Sequence, residues 1–304
     1  MDGELIFRRA RPDDRAAMER ICAQTWEWGD YIPEVWDEWL ADDQGAFLVG
    51  ELDGQVVTLN KITRQPSGQF WLEGMRVDPE YRRRGISVRS LDFTLAYARE
   101  HGARVVRLST GSHNVPVHTV VTRAGMEHIG TYVLWNADPL PGDPLRPLLL
   151  TPDHAAQVYA FLADSPVLAY THGLYNANWA WQELSAERIG QFLNVAREPG
   201  YAQVLAQSAP DGQLTALAIV QFDAEDRHLW VLFADGQAPA VTALATAIRA
   251  YAAQLGAQHV QVMVPDLPWL RDAFQAAGYG YGDWEGELWV FELQLLEGAS
   301  EGGR

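Results

Sequence analysis

Residues Val77-Asp-Pro-Glu-Tyr-Arg82-Arg83-Arg84-Gly85-Ile86-Ser87 read as the end of a strand, a tight turn and the first turn of a helix. Phe70–Val77 supplies the strand, and Val88, Leu91, Leu95 and Ala98 recur afterwards at helical spacing. The first N–H groups of a helix have no intrahelical acceptor and lie at the positive end of its dipole, so the turn is built to cradle an anion. Three consecutive arginines add charge suited to a phosphate. Taken alone, a basic turn before a helix is more often a solvated surface loop. The spacing lacks the Gly-Lys-Ser/Thr of a Walker loop and the three glycines of a dinucleotide fingerprint.

The elements that would position this turn follow from patterning. Leu5–Arg9 reads as a strand, and Asp13 or Asp14 caps a helix running to about Trp26. A shorter helix near Pro33–Ala41 has proline in its first turn. Phe47–Leu52 and Val56–Lys61 form a hairpin across Asp53-Gly54. Val105–Ser109 is the next strand; a helix from Asn114 and a hairpin through Ile129–Trp135 complete the half. The second half repeats this order. His-Gly102-Ala-Arg-Val-Val matches Leu-Gly256-Ala-Gln-His-Val, and Gly125-Met126 and Gly278-Tyr279 follow 23 and 22 residues later. The reading is α/β: two tandem domains, each a mixed, mostly antiparallel sheet flanked by helices. The boundaries are 1–137 for the first domain, 138–144 for a Pro/Gly-rich linker, 145–296 for the second domain and 297–304 for a disordered tail.

Bulk properties narrow the function. The chain of 304 residues has room for about two domains. A net charge of −17 argues against nucleic-acid binding. Residues 1–150 carry 17 basic against 22 acidic side chains, and residues 151–304 carry 6 against 18, so only the first half can greet a phosphate. The single cysteine, Cys22, excludes an internal disulfide and a Cys-rich metal site, and its apolar helical neighbours mark it as core. Nothing suggests a membrane span or a signal peptide, so a cytoplasmic monomer or homodimer is expected.

Val-x-Pro-x-x-Arg-x-x-Gly-x-small resembles the acyl-CoA pyrophosphate loop of the GNAT N-acetyltransferase superfamily, with Arg82, Gly85 and Ser87 on its defining positions. Asn114-Val-Pro-Val117-His118-Thr-Val-Val121-Thr-Arg-Ala-Gly125-Met126 resembles that superfamily's later helix, with Asn114 and Gly125 eleven residues apart. The resemblance implies acetyl-CoA as the cofactor. It would be held by the backbone of Met75, Arg76 and Val77 on a splayed strand, by Arg82, Arg83, Arg84, Gly85, Ile86 and Ser87, and by Asn114 near the pantetheine arm. Asn114 is equally a helix N-cap. Val121 stands where many members carry the tyrosine that protonates the departing thiolate, so that acid is missing. His118 and His113 are the nearby substitutes, each otherwise a surface or capping histidine.

Direct transfer to an amine then assigns the remaining groups. Glu73 would bind the acceptor or draw off its proton through water; a salt bridge to Arg76 or Arg107 is the alternative. Gly74 in mid-strand fits a bulge or close backbone approach, or simple strand irregularity. Trp26-Glu27-Trp28-Gly29-Asp30-Tyr31 sits where the superfamily places its acceptor loop, and Glu27, Asp30 and Tyr31 suit a small cationic amine. A looser similarity to the histidine N-acetyltransferase group suggests amino-acid acceptors. A protein amine or a non-catalytic acyl-CoA-binding role are the other readings. The second domain shows Ala234-Asp-Gly-Gln-Ala-Pro-Ala240 in place of the arginines, so it is read as a degenerate copy whose Asp235 repels a pyrophosphate. Its aromatic run Tyr170–Trp181 is expected to seal an interface or wall a pocket.

Overall fold

The computed structural model describes residues 4–25, 29–142, 146–194, 201–282 and 284–295. These form two compact units. The first gathers the chain up to Thr110, Asn114–His128 and the segment from Phe291 onward; the second gathers Gly111–His113 and Ile129–Val290.

In the first unit, β1 (Leu5–Arg9), β2 (Ala46–Leu52), β3 (Gln55–Gln65) and β4 (Gln69–Val77) pair antiparallel in sequence, and β5 (Val105–Gly111) pairs parallel with β4. Helices α1 (Arg15–Cys22) and α2 (Ile32–Ala41) cover one face. Their Met18, Ile21, Ile32, Trp36 and Trp39 pack against Phe47, Val49, Val56 and Leu59. Helix α3 (Ile86–Glu100) turns Leu91, Leu95 and Ala98 inward at helical spacing. It is fastened by Asn60 of β3, whose buried amide donates to Ser90 Oγ at 2.9 Å and Thr94 Oγ1 at 2.7 Å. Helix α4 (Val115–Arg123) follows β5. The segment from Phe291 belongs to this unit through buried polar links. Arg107 Nε donates to Glu292 at 2.6 Å, and the Leu295 N–H donates to the Arg104 carbonyl at 2.7 Å.

The chain then runs through β6 (Glu127–Ala137), β7 (Leu148–Leu149), α5 (Ala155–Ala163), α6 (Pro166–Tyr170), β8 (Leu174–Ala177), β9 (Ala180–Glu183), α7 (Ala186–Asn194), β10 (Gln203–Ser208), β11 (Leu214–Asp223), β12 (His228–Gly236), α8 (Ala238–Leu255), β13 (His259–Pro265), α9 (Pro268–Ala276) and β14 (Glu287–Gln294), of which β6 from Ile129 to β14 up to Val290 make the second unit. Its sheet runs β6-β13-β12-β11-β10-β7, antiparallel except for β12 with β13. Each unit is thus the mixed, mostly antiparallel sheet with flanking helices that the patterning predicts.

Several elements differ from expectation. Helix α1 ends at Cys22 rather than near Trp26. Ile129–Trp135 is not a hairpin but part of one eleven-residue strand, β6. The aromatic run after α6 folds as the β8–β9 hairpin, burying Tyr175 and Trp181 within the second unit. Contacts also divide the chain differently from the contiguous 1–137 and 145–296: the first unit takes its last strand residues from beyond 290. Pattern periodicity is local and says nothing about which sheet a strand joins.

Candidate active site

Strand β4 is bulged where the sequence places its chemistry. Its register with β3 runs Leu59↔Arg76 and then Lys61↔Glu73, so Gly74 and Met75 oppose Asn60 alone. Gly74 sits at φ +64°, and a Cβ there would meet Trp39 Cη2 at 2.5 Å, so both backbone and neighbour demand glycine. The parallel ladder between β4 and β5 covers Gln69↔Val105 to Trp71↔Arg107 and stops. From Leu72 to Val77, among the described residues, β4 keeps strand pairing on its β3 side only. A strand edge that runs on beyond the end of its ladder, beside a bulge, is what an extended ligand arm can pair with.

The loop after β4 is braced from beneath. Asp78 is 1% exposed; its carboxylate accepts from the Glu80 N–H at 3.0 Å and from Arg20 of α1, while its own N–H donates to Val57 O at 2.9 Å. Above this anchor, Arg82, Arg83 and Arg84 are exposed. Arg82 Nε reaches Val77 O at 3.3 Å, and Arg84 reaches Glu80 O at 3.2 Å while lying over the Tyr81 ring. Among the described residues none of the three is engaged by a carboxylate. Gly85 caps α3 in the left-handed region at φ +74°, and a Cβ there would meet nothing within 4 Å. Open space over a glycine cap, three arginines not committed to acids and the N–H groups of Ile86 and Ser87 fit a pyrophosphate.

Glu73 lies across from Lys61, half-buried, and accepts from Thr63 Oγ1 at 3.1 Å. Burial pushes its carboxyl above the usual carboxylate range. Thr63 and Lys61 oppose that shift, and Glu38 and Asp42 reinforce it. The two arginines that sequence offers Glu73 as salt-bridge partners, Arg76 and Arg107, each hold another carboxylate. Arg76 pairs with Asp30 at 2.7 Å and Arg107 with Glu292 at 2.6 Å. Asp30, read from sequence as an acceptor ligand, therefore spends its carboxylate on Arg76. Tyr31 stands beside this pair, with the Arg76 guanidinium 5.7 Å from its ring centroid and its ring edge-on to Trp39. Burial, then the Glu73 charge, raises the Tyr31 phenol above its ordinary range. Burial likewise pushes the Cys22 thiol up to about 12, which leaves it an inert core group. Glu27 lies outside the described residues.

Asn114 takes the N-cap position of α4, but its side chain donates to Thr110 Oγ1 at 3.0 Å instead of capping the helix. His118 is half-buried on α4 with its ring 5.5 Å from that of Phe291, and His113 is exposed. Val121 is 2% exposed, a core side chain rather than a surface one. Lys61, Thr63, Asp78 and Trp39 were not singled out from sequence as site residues. Only the Asp-Pro start of a turn signalled Asp78; the others depend on cross-strand register.

The second unit keeps strands but not the loop. Its parallel pair β12 and β13 ends its ladder at Val231↔Val262, and β12 has a register shift opposite Ile219 and Val220. Only Gln237 separates β12 from α8, whose first turn contains Pro239, against eight residues, Asp78 to Gly85, between β4 and α3. The expected repulsion by Asp235 is corrected: this carboxyl is 1% exposed, bonded to Ser165 and to the Gly236 N–H at 2.6 Å. What is lost is the loop itself. A small cavity of about 20 Å³ lies between these strands and the β8–β9 hairpin, lined by Asn176, Tyr175 and Tyr132.

No group of His, Cys, Asp and Glu among the described residues could hold a metal, and no described helix is long and apolar enough to cross a membrane. No curated protein sequence matches the chain. Among solved structures, the fold is similar to a GCN5-related N-acetyltransferase from Sphaerobacter thermophilus, with TM-score 0.63 and 14% identity over 95% of each chain. It is also similar to an acetyltransferase from Thermoplasma acidophilum, with TM-score 0.59 and 16% identity over 95% of this chain and 100% of that one. A third is the glucosamine N-acetyltransferase region of a fungal multi-domain GH3 β-N-acetylglucosaminidase, with TM-score 0.59 and 14% identity over 96% of this chain and 38% of that one. These likenesses show the fold. The acetyltransferase (GNAT) family model matches residues 14–126, the segment that holds the bulged strand and the arginine loop. Sequence and fold point the same way: residues 14–126 match the acetyltransferase (GNAT) family, and the fold resembles that of a GCN5-related N-acetyltransferase.

Proposed function

We propose that the protein is an acetyl-CoA-dependent N-acetyltransferase that acylates the amine of a small molecule such as an amino acid. The observation that carries this reading is the open edge of β4 lying between a half-buried carboxylate, Glu73, and an arginine loop held up by Asp78. When bound, acetyl-CoA supplies the acyl group as a thioester. Arg82, Arg83, Arg84 and the first N–H groups of α3 would hold its pyrophosphate, and the backbone of Met75, Arg76 and Val77 would hold its arm. Asn114, whose amide donates to Thr110, would hold the thiol end of that arm. Glu73 takes the proton from the acceptor amine, a role favoured by a carboxyl already raised toward neutral pH by burial. The sulfur needs a proton in return, and His118 is the residue proposed to provide it. With Asp42 paired to Lys61, Glu38 beside Glu73 supplies the negative charge that suits a cationic amine.

The buried Val121 favours a second reading, a domain that binds acyl-CoA without turning it over. Thiol release from acetyl-CoA against a panel of amines and amino acids, alongside calorimetric titration of acetyl-CoA, separates the two. Amine-dependent release supports catalysis, binding without release leaves the non-catalytic reading, and absence of binding overturns both.

A further inference from the structure

Lys61 is the chain's sole lysine and is 1% exposed. An ammonium has three N–H donors and no acceptor. All three are spent: on the Asp42 carboxylate, on the Ile62 carbonyl at 3.1 Å and on Thr63 Oγ1 at 2.9 Å. The Thr63 hydroxyl therefore accepts from Lys61, and its single hydrogen is left for Glu73 Oε1 at 3.1 Å. With Glu73 ionised, the donor count fixes the direction of each bond. Asp42 is fixed in turn by the N–H groups of Gln44 at 2.9 Å and Gly45 at 3.0 Å, so the series begins on rigid backbone.

We propose that Lys61, acting through the Thr63 hydroxyl, is the positioning residue that holds Glu73 as a hydrogen-bond acceptor in the acceptor site. This rests on the reading of Glu73 given above. The charged groups facing Glu73 are Glu38 on α2, Asp42 just after α2 and Lys61 on β3, with the Tyr31 phenol close by. Two of these are carboxylates that oppose its ionisation, and burial does the same. Lys61 and the hydroxyl that it orients favour the ionised form. The ammonium cannot meet an incoming amine, because its donors are occupied and it is sealed from solvent.

The test is a carboxyl-carbon NMR titration of the full chain labelled at glutamate, with Glu73→Gln giving the assignment and no acyl donor or amine present. Thr63→Val, nearly isosteric, removes the donor and should raise the Glu73 midpoint by about one pH unit, a tenfold change in proton affinity. Thr63→Ser restores the donor and should return the midpoint to the wild-type value. Lys61→Met should raise it at least as far, and Lys61→Gln serves in its place should that variant fail to fold. A midpoint unmoved by Thr63→Val or by either Lys61 variant, in folded protein, overturns the proposal. If Glu73→Gln keeps full acyl transfer while these midpoints move, the functional reading of Glu73 falls and the positioning role of Lys61 stands.

Discussion

Arg76 grips Asp30 with two hydrogen bonds, Nε to Oδ2 at 2.7 Å and Nη2 to Oδ1 at 3.1 Å. The Asp30 side chain is 1% exposed and the Arg76 side chain 13%, so the pair is largely dry. It ties the segment ahead of α2 to the strand just past the Gly74 bulge and so clamps the two together. Removing one member leaves the other charge buried without compensation. Asp30→Ala is expected to cost about 3–5 kcal/mol of stability in urea unfolding. Asp30→Leu combined with Arg76→Met should recover much of it. A single variant as stable as wild type would show that the clamp is idle.

Gly74→Ala tests the bulge. Alanine at φ +64° is strained and its Cβ meets the Trp39 ring, so a loss of about 1–3 kcal/mol is expected, with acyl transfer reduced further than stability alone explains. Trp39→Leu in the same chain should relieve the steric part and leave the backbone part. Chemical unfolding of the two variants separates these contributions.

Glu73 has a consequence for stability as well as for activity. Its folded-state carboxyl titrates above the unfolded value because burial disfavours the charge. In the window between the two values the native state binds more protons than the unfolded chain, so stability falls as pH rises through it. Glu73→Gln should therefore be more stable than wild type at pH 8, with the difference shrinking toward pH 4. An unchanging difference across that range would contradict a buried, raised carboxyl.

The arginine loop predicts graded binding. On the proposed reading, alanine at Arg82, Arg83 or Arg84 should each remove a charge-assisted donor to phosphate and weaken acetyl-CoA affinity by roughly tenfold, and Arg82→Glu should weaken it further. Gln237→Arg in the second unit should create no affinity, because β12 joins α8 through that one residue and no loop exists to be charged. Calorimetric titration reads both. Wild-type affinity in Arg82→Glu would remove the loop from the cofactor site.

The link between Arg107 and Glu292 predicts how the chain divides. Arg107 is 6% exposed, and Glu292 comes from the segment after Phe291. A fragment of residues 1–137 lacks that carboxylate, so it should unfold less cooperatively than the first unit does in the full chain. Glu292→Ala in the full chain should cost about 3–5 kcal/mol for the same reason. Two-state unfolding of the fragment at full stability would refute this division.

The loop was legible in the sequence because every requirement it meets is local. Asp78-Pro79 opens a turn, Gly85 supplies the left-handed cap, and the arginines follow one another, all within eleven residues. The hairpin at Asp53-Gly54, the alternating strands and the helical face of α3 are local too, and they fixed the fold class. The acceptor side was not legible in the same way. Asp30 reads as a free carboxylate until Arg76, 46 residues later, closes on it. Glu73 reads as a partner for Arg76 or Arg107 until register sets it across from Lys61. Asp235 reads as a surface charge until Ser165 buries it. A side chain's charge is a property of the sequence, but whether that charge meets water, a ligand or a buried partner depends on register and packing. Those are decided only when distant segments come together.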